Sequence, residues 1–229
     1  MNESIYIAED EDNIRETVRT FLESEGYQVR DFSTGDALFD EFQISPADLV
    51  ILDVLMPGSS GFDITRKIRA ISPVPIIILT ARDSDLDYAT GINLGSDDYF
   101  TKPFSAISLV MRVKAMLRRV RLDQEQHGSA ARSEIHFGSI RINRKTMEAR
   151  SGDQPLELTP TEYALLVYLL EHQDRAVSRS ELLDEVWGYS QDIETRACDD
   201  TVRRLRKKLA GSGVRIDNIW GFGFRAAEE

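Results

Sequence analysis

Short, continuous apolar runs in the first half of the chain constrain its fold more than any other feature. Leu49-Val50-Ile51-Leu52 and Ile76-Ile77-Ile78-Leu79 contain no polar residue. Strands of parallel sheets show this pattern because helices cover both faces of the sheet. Between the runs, segments such as Asn13 to Glu23 and Phe62 to Ile71 repeat apolar residues at helical spacing. The alternation predicts an α/β domain over residues 1–121, with a doubly wound, five-stranded parallel sheet.

The pattern changes in the second half of the chain. Residues 122–133 lack apolar periodicity and are predicted to be a linker. Residues 134–229 are predicted to form a second, α+β domain that begins with a small antiparallel sheet between Ile135 and Arg150. Three helices are predicted to follow, at Thr161 to Glu171, Ser180 to Val186 and Thr195 to Leu209. A β-ribbon from about Val214 to Arg225 completes the domain, with turn residues at Asp217-Asn218 and glycines at 221 and 223.

Polar side chains follow several of the predicted parallel strands. Ligands of open α/β sheets bind at this carboxyl edge. The acids there can hold a hard cation such as Mg²⁺, and a carboxylate there can attack a phosphoryl donor. A lysine and a hydroxyl can stabilise the charge that results. Taken singly, each of these residues could be a helix cap or a solvated charge. Their joint placement at successive strand ends is a much more specific sign of a functional site. The residues are Glu9, Asp10, Asp53, Thr80 and Lys102.

The helix predicted near the C-terminus has one apolar and one cationic face. The net charge of the chain is −11, which by itself argues against nucleic acid as a partner. Residues 195–210, however, carry six basic and two acidic side chains, a local charge of +4. Such a helix suits the major groove of DNA. A solvated charged face is the alternative explanation.

The first domain resembles the receiver domain of two-component response regulators, which has a flavodoxin-like fold. The resemblance is carried by Ala8-Glu9-Asp10-Glu11-Asp12, Leu52 to Gly58, Leu79-Thr80-Ala81-Arg82 and Asp97 to Phe104. It implies that Asp53 accepts a phosphoryl group from a histidine kinase and that Lys102 neutralises it. It further implies a switch pair, Thr80 and Tyr99, and a cis bond between Lys102 and Pro103. Mg²⁺ would be held by Asp10, Asp53, the backbone carbonyl of Leu55 and, through water, Glu9.

The second domain resembles the winged-helix effector of the OmpR/PhoB family. Glu157 to Leu166, Ser178 to Leu183, Val186-Trp187-Gly188, Val202 to Leu209 and Trp220 to Arg225 carry this resemblance. It implies that the helix at 195–210 enters the major groove of promoter DNA, that Arg204 contacts bases, and that the wing reaches the minor groove. The other implied DNA contacts are Arg196, Thr201, Arg203, Arg206, Lys207 and Arg225. The wing departs from the family at Trp220, where an arginine is more common.

The resemblance also implies a symmetric receiver dimer after phosphorylation. The matching charged surface is Asp97, Asp98, Arg112, Lys114 and Arg118. Tyr88 and Ser108 stand where the family usually has a basic and an acidic residue. One cross-dimer salt bridge is therefore expected to be missing, and since exposed pairs contribute about 0–1 kcal/mol each, we expect a weaker dimer. The expected partners are a sensor histidine kinase, promoter DNA and a second copy, with RNA polymerase a further candidate.

Two other functions remain open at this stage. One is an Mg²⁺-dependent hydrolase that turns over a phosphate ester at Asp53, although Leu55 stands where a second acid would protonate the leaving group. The other is a DNA-binding regulator that works without phosphorylation.

The single cysteine, Cys198, excludes an intrachain disulfide. The residues from Met1 to Ser4 do not resemble a signal peptide. A cytoplasmic location, no membrane contact and no metabolic activity are therefore expected.

Overall fold

A computed structural model of the chain describes residues 3–81, 95–125, 134–189 and 197–228. The chain forms two compact units, Met1–Leu117 and Arg118–Glu229. Within the described residues, no helix combines the length and the apolar character needed to cross a membrane.

The first unit contains the predicted parallel sheet. Its strands follow the order β2-β1-β3-β4-β5, and all neighbours are parallel. The prediction of a doubly wound α/β fold is confirmed. The strands are β1 Ser4–Ala8, β2 Gln28–Phe32, β3 Leu49–Asp53, β4 Ile76–Ala81 and β5 Asp98–Lys102; the helices are α1 Asp12–Ser24, α2 Gly35–Ile44, α3 Gly61–Arg69 and α4 Ala106–Glu125.

Helix α4 is longer than the sequence pattern indicated. It continues to Glu125, so the first four residues of the predicted linker are helical. The rest of that linker, 126–133, lies outside the described residues, as does the segment 82–94 between β4 and β5.

The central strands of the sheet are buried on both faces because successive side chains alternate between them. Leu49 and Ile51 of β3 pack in one cluster with residues of α1 and α4. Val50 and Leu52 pack in the other with residues of α2 and α3. The two layers together hold the end of β3, at Asp53, in a fixed position.

The second unit has the predicted α+β composition. A four-stranded antiparallel sheet precedes three helices, and a two-stranded antiparallel ribbon follows them. The elements are β6 Glu134–Phe137, β7 Ile140–Asn143, β8 Glu148–Ser151, β9 Gln154–Leu156, α5 Pro160–Glu171, α6 Arg179–Trp187, α7 Ala197–Leu209, β10 Val214–Ile219 and β11 Gly223–Glu228.

The ribbon turns at one of the two predicted places, the glycines at 221 and 223, and not at Asp217-Asn218. Asp217 and Asn218 lie within β10 and pair with Arg225 and Phe224. The chain reverses after Ile219 instead, where Gly221 adopts a φ of +76°. Glycine adopts this conformation without the steric cost that a Cβ would bring.

A buried ion cluster fixes α7 against α5. Glu162 is fully buried, and its two carboxylate oxygens lie 2.9 Å from Nε of Arg204 and 2.6 Å from Nζ of Lys208. One of these oxygens also accepts a hydrogen bond from the backbone N–H of Thr159, as part of the capping box that begins α5. Burial alone would raise the pKa of Glu162, but the charges of Arg204 and Lys208 outweigh it and lower the pKa. The cluster therefore holds an ionised carboxylate inside the domain.

We expect the substitution Glu162→Gln to destabilise the second unit by about 3–5 kcal/mol, because it leaves buried Arg204 without its counter-ion. Denaturant unfolding of the full chain, followed by tryptophan fluorescence, measures this loss, since both tryptophans, Trp187 and Trp220, lie in the second unit. The control is Glu157→Gln at an exposed position, with an expected change within about 0.5 kcal/mol.

The same variants give a test by pH. The pKa of Glu162 is lowered from 4.5 in the folded state, so its contribution is complete above pH 4.5 and is lost as pH falls through the lower folded value. The difference in stability between wild type and Glu162→Gln should therefore narrow below pH 4.5. A difference that stays constant down to the acid unfolding limit would contradict an ionised Glu162.

Candidate functional site

The acidic residues predicted at the sheet edge lie close together. β1 and β3 are neighbours, and the strand order reverses direction around β1, which places a crevice at their carboxyl ends. Glu9 and Asp53 are buried there, and Asp10 is exposed. One carboxylate oxygen of each of the three residues lies within 4.8 Å of the other two. Three negative charges at this spacing repel each other and require a cation.

Lys102 supplies one cation from the end of β5. Its Nζ lies 2.8 Å from the carboxylate of Glu9, 3.2 Å from Oδ1 of Asp53 and 3.7 Å from Oε1 of Glu11. Burial opposes its charged form, but the hydrogen bond to Glu9 and the charge of Asp53 together raise its pKa. Lys102 is therefore a permanent ammonium group that bridges two strand ends.

The two buried carboxylates keep a tendency to take up a proton. Burial raises the pKa of Glu9. Burial also raises the pKa of Asp53, and repulsion from the charge of Asp10 raises it further. Lys102 lowers both, but only in part. A second positive charge at this edge would relieve the remaining repulsion.

The donor set fits a divalent ion that prefers oxygen. The hydrogen bond from Lys102 reaches Oε1 of Glu9, and the buried Oε2 accepts no hydrogen bond although Nζ is within ion-pair distance. Three carboxylates from two adjacent strand ends are the ligand type that Mg²⁺ takes, together with several waters. The chemistry and spacing of the residues are thus compatible with the Mg²⁺ expected from the sequence.

The other residues expected at this site lie on the neighbouring strands. Asp53 pairs with Leu79, so Thr80 is one residue further along β4, and Thr80 is itself paired with Thr101 of β5. Thr80 and Tyr99 are both buried, and Tyr99 packs in the cluster that contains the side chains of α2 and α3. The peptide bond between Lys102 and Pro103 is cis, as expected.

Asp36 is a contributor to the site that the sequence did not reveal. Its carboxylate accepts hydrogen bonds from the backbone N–H and the hydroxyl of Ser59 at 2.9 and 2.7 Å, and from Nζ of Lys67 at 3.0 Å. The hydrogen bonds from Ser59, with that from Lys67, lower the pKa of Asp36 to about 2. Asp36 thereby anchors the loop that follows Asp53. Its partners lie 23 and 31 residues away, so no local pattern could show the contact.

Two of the residues predicted to form a dimer interface are used inside the first unit. Asp97 is buried; it pairs with Arg69 at 2.7 Å and accepts a hydrogen bond from the backbone N–H of Ile76. Asp98 is buried and pairs with Arg112 at 3.0 Å. These three charges therefore have partners within the same unit, and the participation of Asp97, Asp98 and Arg112 in a dimer interface stays a prediction.

The remaining dimer residues lie at the surface. Lys114 is exposed and pairs with Glu25 of the same chain, and Arg118 is exposed. Ser108 lies in α4, whereas Tyr88 falls outside the described residues.

The cationic face of α7 contains fewer available side chains than the sequence predicted. Arg203 and Lys207 are exposed one turn apart. Arg204 is buried against Glu162 and also donates to the hydroxyl of Thr201, which is buried as well. Both side chains are thus internal in the free chain, and their predicted contact with DNA stays a prediction. The helical repeat places position 204 beside the apolar stripe, where a charge is retained only with a buried partner.

Arg206 and Arg225 lie at the wing. Arg206 donates through Nε and Nη2 to the backbone carbonyl of Ile216 at 2.8 and 2.6 Å, so it joins α7 to β10. Arg225 is half-buried on β11. Arg196 falls outside the described residues.

Known proteins match both units of the chain. Residues 5–114 match the family described as "Response regulator receiver domain", and residues 153–226 match "Transcriptional regulatory protein, C terminal". The sensory transduction protein RegX3 of Mycolicibacterium smegmatis is 36% identical over 97% of this chain and 98% of its own. Among solved structures, a cysteine-to-serine mutant of RitR has a TM-score of 0.78 at 26% identity over the whole of both chains. DrrB of Thermotoga maritima, described as an OmpR/PhoB homolog, has a TM-score of 0.52 at 27% identity and covers 98% of this chain and 99% of its own.

The fold and the site thus define a receiver domain joined to a winged-helix domain of transcription regulators. The chain belongs to the OmpR/PhoB family of two-component response regulators. It is a transcription regulator rather than a metabolic enzyme.

We expect Asp36→Asn to slow phosphoryl transfer to this receiver by about tenfold, because loss of the anchoring charge lets the loop after Asp53 move out of the reactive geometry. The measurement is the initial rate of labelling by acetyl phosphate in Mg²⁺ buffer. Asp40→Asn is the matched control, since Asp40 is an acid on the same helix, α2, that lies outside this anchor. Equal rates for both variants would show that the anchor has no role in the reaction.

Proposed function

We propose that Asp53 is the phosphoacceptor of this response regulator and that its phosphorylation controls promoter binding by α7 and the wing. The observation that carries the proposal is the position of Lys102, whose ammonium group lies 3.2 Å from Asp53 and 2.8 Å from Glu9. A carboxylate flanked by a fixed cation and two further acids is suited to accept a phosphoryl group and to hold the charge that this adds.

The proposed reaction is a displacement at phosphorus. An oxygen of Asp53 forms a bond to the phosphorus of a phosphohistidine on the kinase, the P–N bond breaks, and the imidazole leaves with a proton. Lys102 neutralises one phosphoryl oxygen, and the Thr80 hydroxyl, one residue beyond the partner of Asp53 in β4, donates to another. Mg²⁺ held by Asp10, Asp53, the carbonyl of Leu55 and, through water, Glu9 would neutralise the remaining charge.

The proposed signal path leads from Thr80 to Tyr99. These residues occupy the adjacent strands β4 and β5, where Ile78 pairs with Tyr99 and Thr80 pairs with Thr101. Movement of Thr80 toward the phosphoryl group would open space that the Tyr99 ring can occupy. This would alter the surface formed by β5 and α4.

We expect labelled acetyl phosphate to transfer its phosphoryl group to wild type and to Asp40→Asn but not to Asp53→Asn. The asparagine side chain keeps the shape of the aspartate and lacks the nucleophilic carboxylate. Stoichiometric labelling of Asp53→Asn would show that another residue is the phosphoacceptor. Steady turnover of a phosphomonoester by the wild type would instead favour the hydrolase.

The proposed DNA surface is centred on Arg203 and Lys207, two exposed cations of α7. We expect Arg203→Ala with Lys207→Ala to reduce the slope of log affinity against log salt by about 2, because each phosphate contact contributes about 0.9 to that slope. Fluorescence anisotropy on a duplex recovered by in vitro selection measures this. Arg66→Ala, at an exposed cation of α3 in the receiver, is the control and should leave the slope unchanged.

We propose that phosphorylation favours a dimer through the outer face of α4. Ile107 and Met111 of α4 are exposed one turn apart, with Lys114 and Arg118 further along the helix. Sedimentation velocity should show a monomer that becomes a dimer with beryllofluoride and Mg²⁺, and Ile107→Ser with Met111→Ser should prevent the change. Ile44→Ser, at an exposed apolar residue of α2, is the control. An unchanged mass for the treated wild type would exclude dimerisation as the output.

A further inference from the structure

The tip of the β10–β11 hairpin carries two exposed aromatic side chains. Trp220 is 96% exposed and Phe222 is 71% exposed, while the other tryptophan, Trp187, is 5% exposed. Large apolar side chains that are exposed together mark a contact surface more often than they mark ordinary surface. They lie in the stretch that matches the family described as "Transcriptional regulatory protein, C terminal".

The hairpin that presents these rings is held firmly. Val177, which precedes α6, exchanges two backbone hydrogen bonds of 2.8 Å with Phe224. Gly223 is packed so closely there that a Cβ would lie 2.0 Å from the carbonyl oxygen of Val177. The backbone N–H of Phe222 closes the turn on the carbonyl of Ile219 at 2.9 Å. The tip is therefore preorganised to project its side chains, and little further ordering is needed on binding.

The surroundings of the tip suit a polyanion. The stretch from Ile219 to Arg225 contains no acidic residue, and the nearest acid, Asp217, pairs with Arg215 at 2.9 Å. Arg206 ties the hairpin to α7 through the carbonyl of Ile216. Lys207 follows Arg206 directly, and Arg203 lies one helical turn before Lys207, so exposed cations lie on the same helix that Arg206 ties to the hairpin.

We propose that Trp220 and Phe222 form an apolar wedge that enters the minor groove of duplex DNA, unstacks a base step and bends the duplex. The inference rests on the proposed DNA-binding function and adds to it the mode of contact at the wing. Apolar side chains that enter the minor groove act in this way, and the energy lost by unstacking is recovered by the protein surface that the bent DNA covers. The contact gives affinity that depends little on salt, in contrast to phosphate contacts.

The two tryptophans allow a direct test of contact. With Trp187 buried, quenching by acrylamide reports mainly Trp220. A duplex recovered by in vitro selection with the beryllofluoride-treated full chain should quench the emission of Trp220 and protect it from acrylamide. Trp187→Phe, which leaves Trp220 as the sole reporter, should show the same protection. Unchanged access of acrylamide in the bound complex would overturn the proposal.

A second experiment separates the wedge from the phosphate contacts. Trp220→Ala with Phe222→Ala should lower affinity about tenfold, reduce the bend measured by energy transfer between the duplex ends, and leave the salt slope unchanged. These positions are exposed, so the domain should keep its fold, which circular dichroism verifies. Arg203→Ala with Lys207→Ala should instead lower the salt slope by about 2.

The outcomes distinguish the two proposals. Wild-type affinity and bend in the aromatic variant, together with a reduced slope in the cationic variant, would overturn the wedge and leave the DNA-binding surface intact. Failure of both variants to alter binding would overturn both proposals. Self-association of the wild type without DNA that disappears in Trp220→Ala would assign the tip to contact with a second copy and overturn the wedge.

Discussion

The receiver site depends on one ammonium group. Lys102 reaches from the end of β5 to the ends of β1 and β3 and lies within ion-pair distance of Glu9, Glu11 and Asp53. Without it, buried Glu9 and Asp53 would face exposed Asp10 with no counter-charge, and protonation would relieve the repulsion. In the proposed reaction, a protonated Asp53 would not act as a nucleophile. The lysine therefore maintains the chemical state of the aspartate as well as the geometry of the crevice.

Internal ion pairs also position the elements of the winged-helix unit. The sequence of α7 is rich in arginine and lysine, yet buried Arg204 and exposed Lys208 both pair with Glu162. Their contribution is to fix α7 against α5. Arg206 likewise joins α7 to the wing through Ile216. The rigid placement of the helix and wing thus comes from cations that a charge count alone would assign to DNA.

Two internal ion pairs lie at the start of β5 and at the residue before it, next to Tyr99 of the proposed signal path. Asp97 with Arg69 and Asp98 with Arg112 link this strand to α3 and α4. Arg112 also lies over the ring of Phe100 at 4.1 Å. In the proposed signal path, a displacement of Tyr99 would act beside two acids, Asp97 and Asp98, that are tied to different helices. Such a strand can transmit a small displacement to both helices, because packed elements move as units.

The amino-acid sequence by itself determined the architecture of both units and the residues of the acidic crevice. Apolar runs specify buried parallel strands, and parallel strands bring their carboxyl ends to one edge of the sheet. The sequence alone therefore groups the polar residues at these strand ends: Glu9, Asp10, Asp53, Thr80 and Lys102. Tertiary structure alone decided which charges are internal. The anchor at Asp36 and the pairs of Glu162, Asp97 and Asp98 join residues 14 to 46 positions apart. Burial of an ion is set by the packing of distant elements, and no local pattern contains that information.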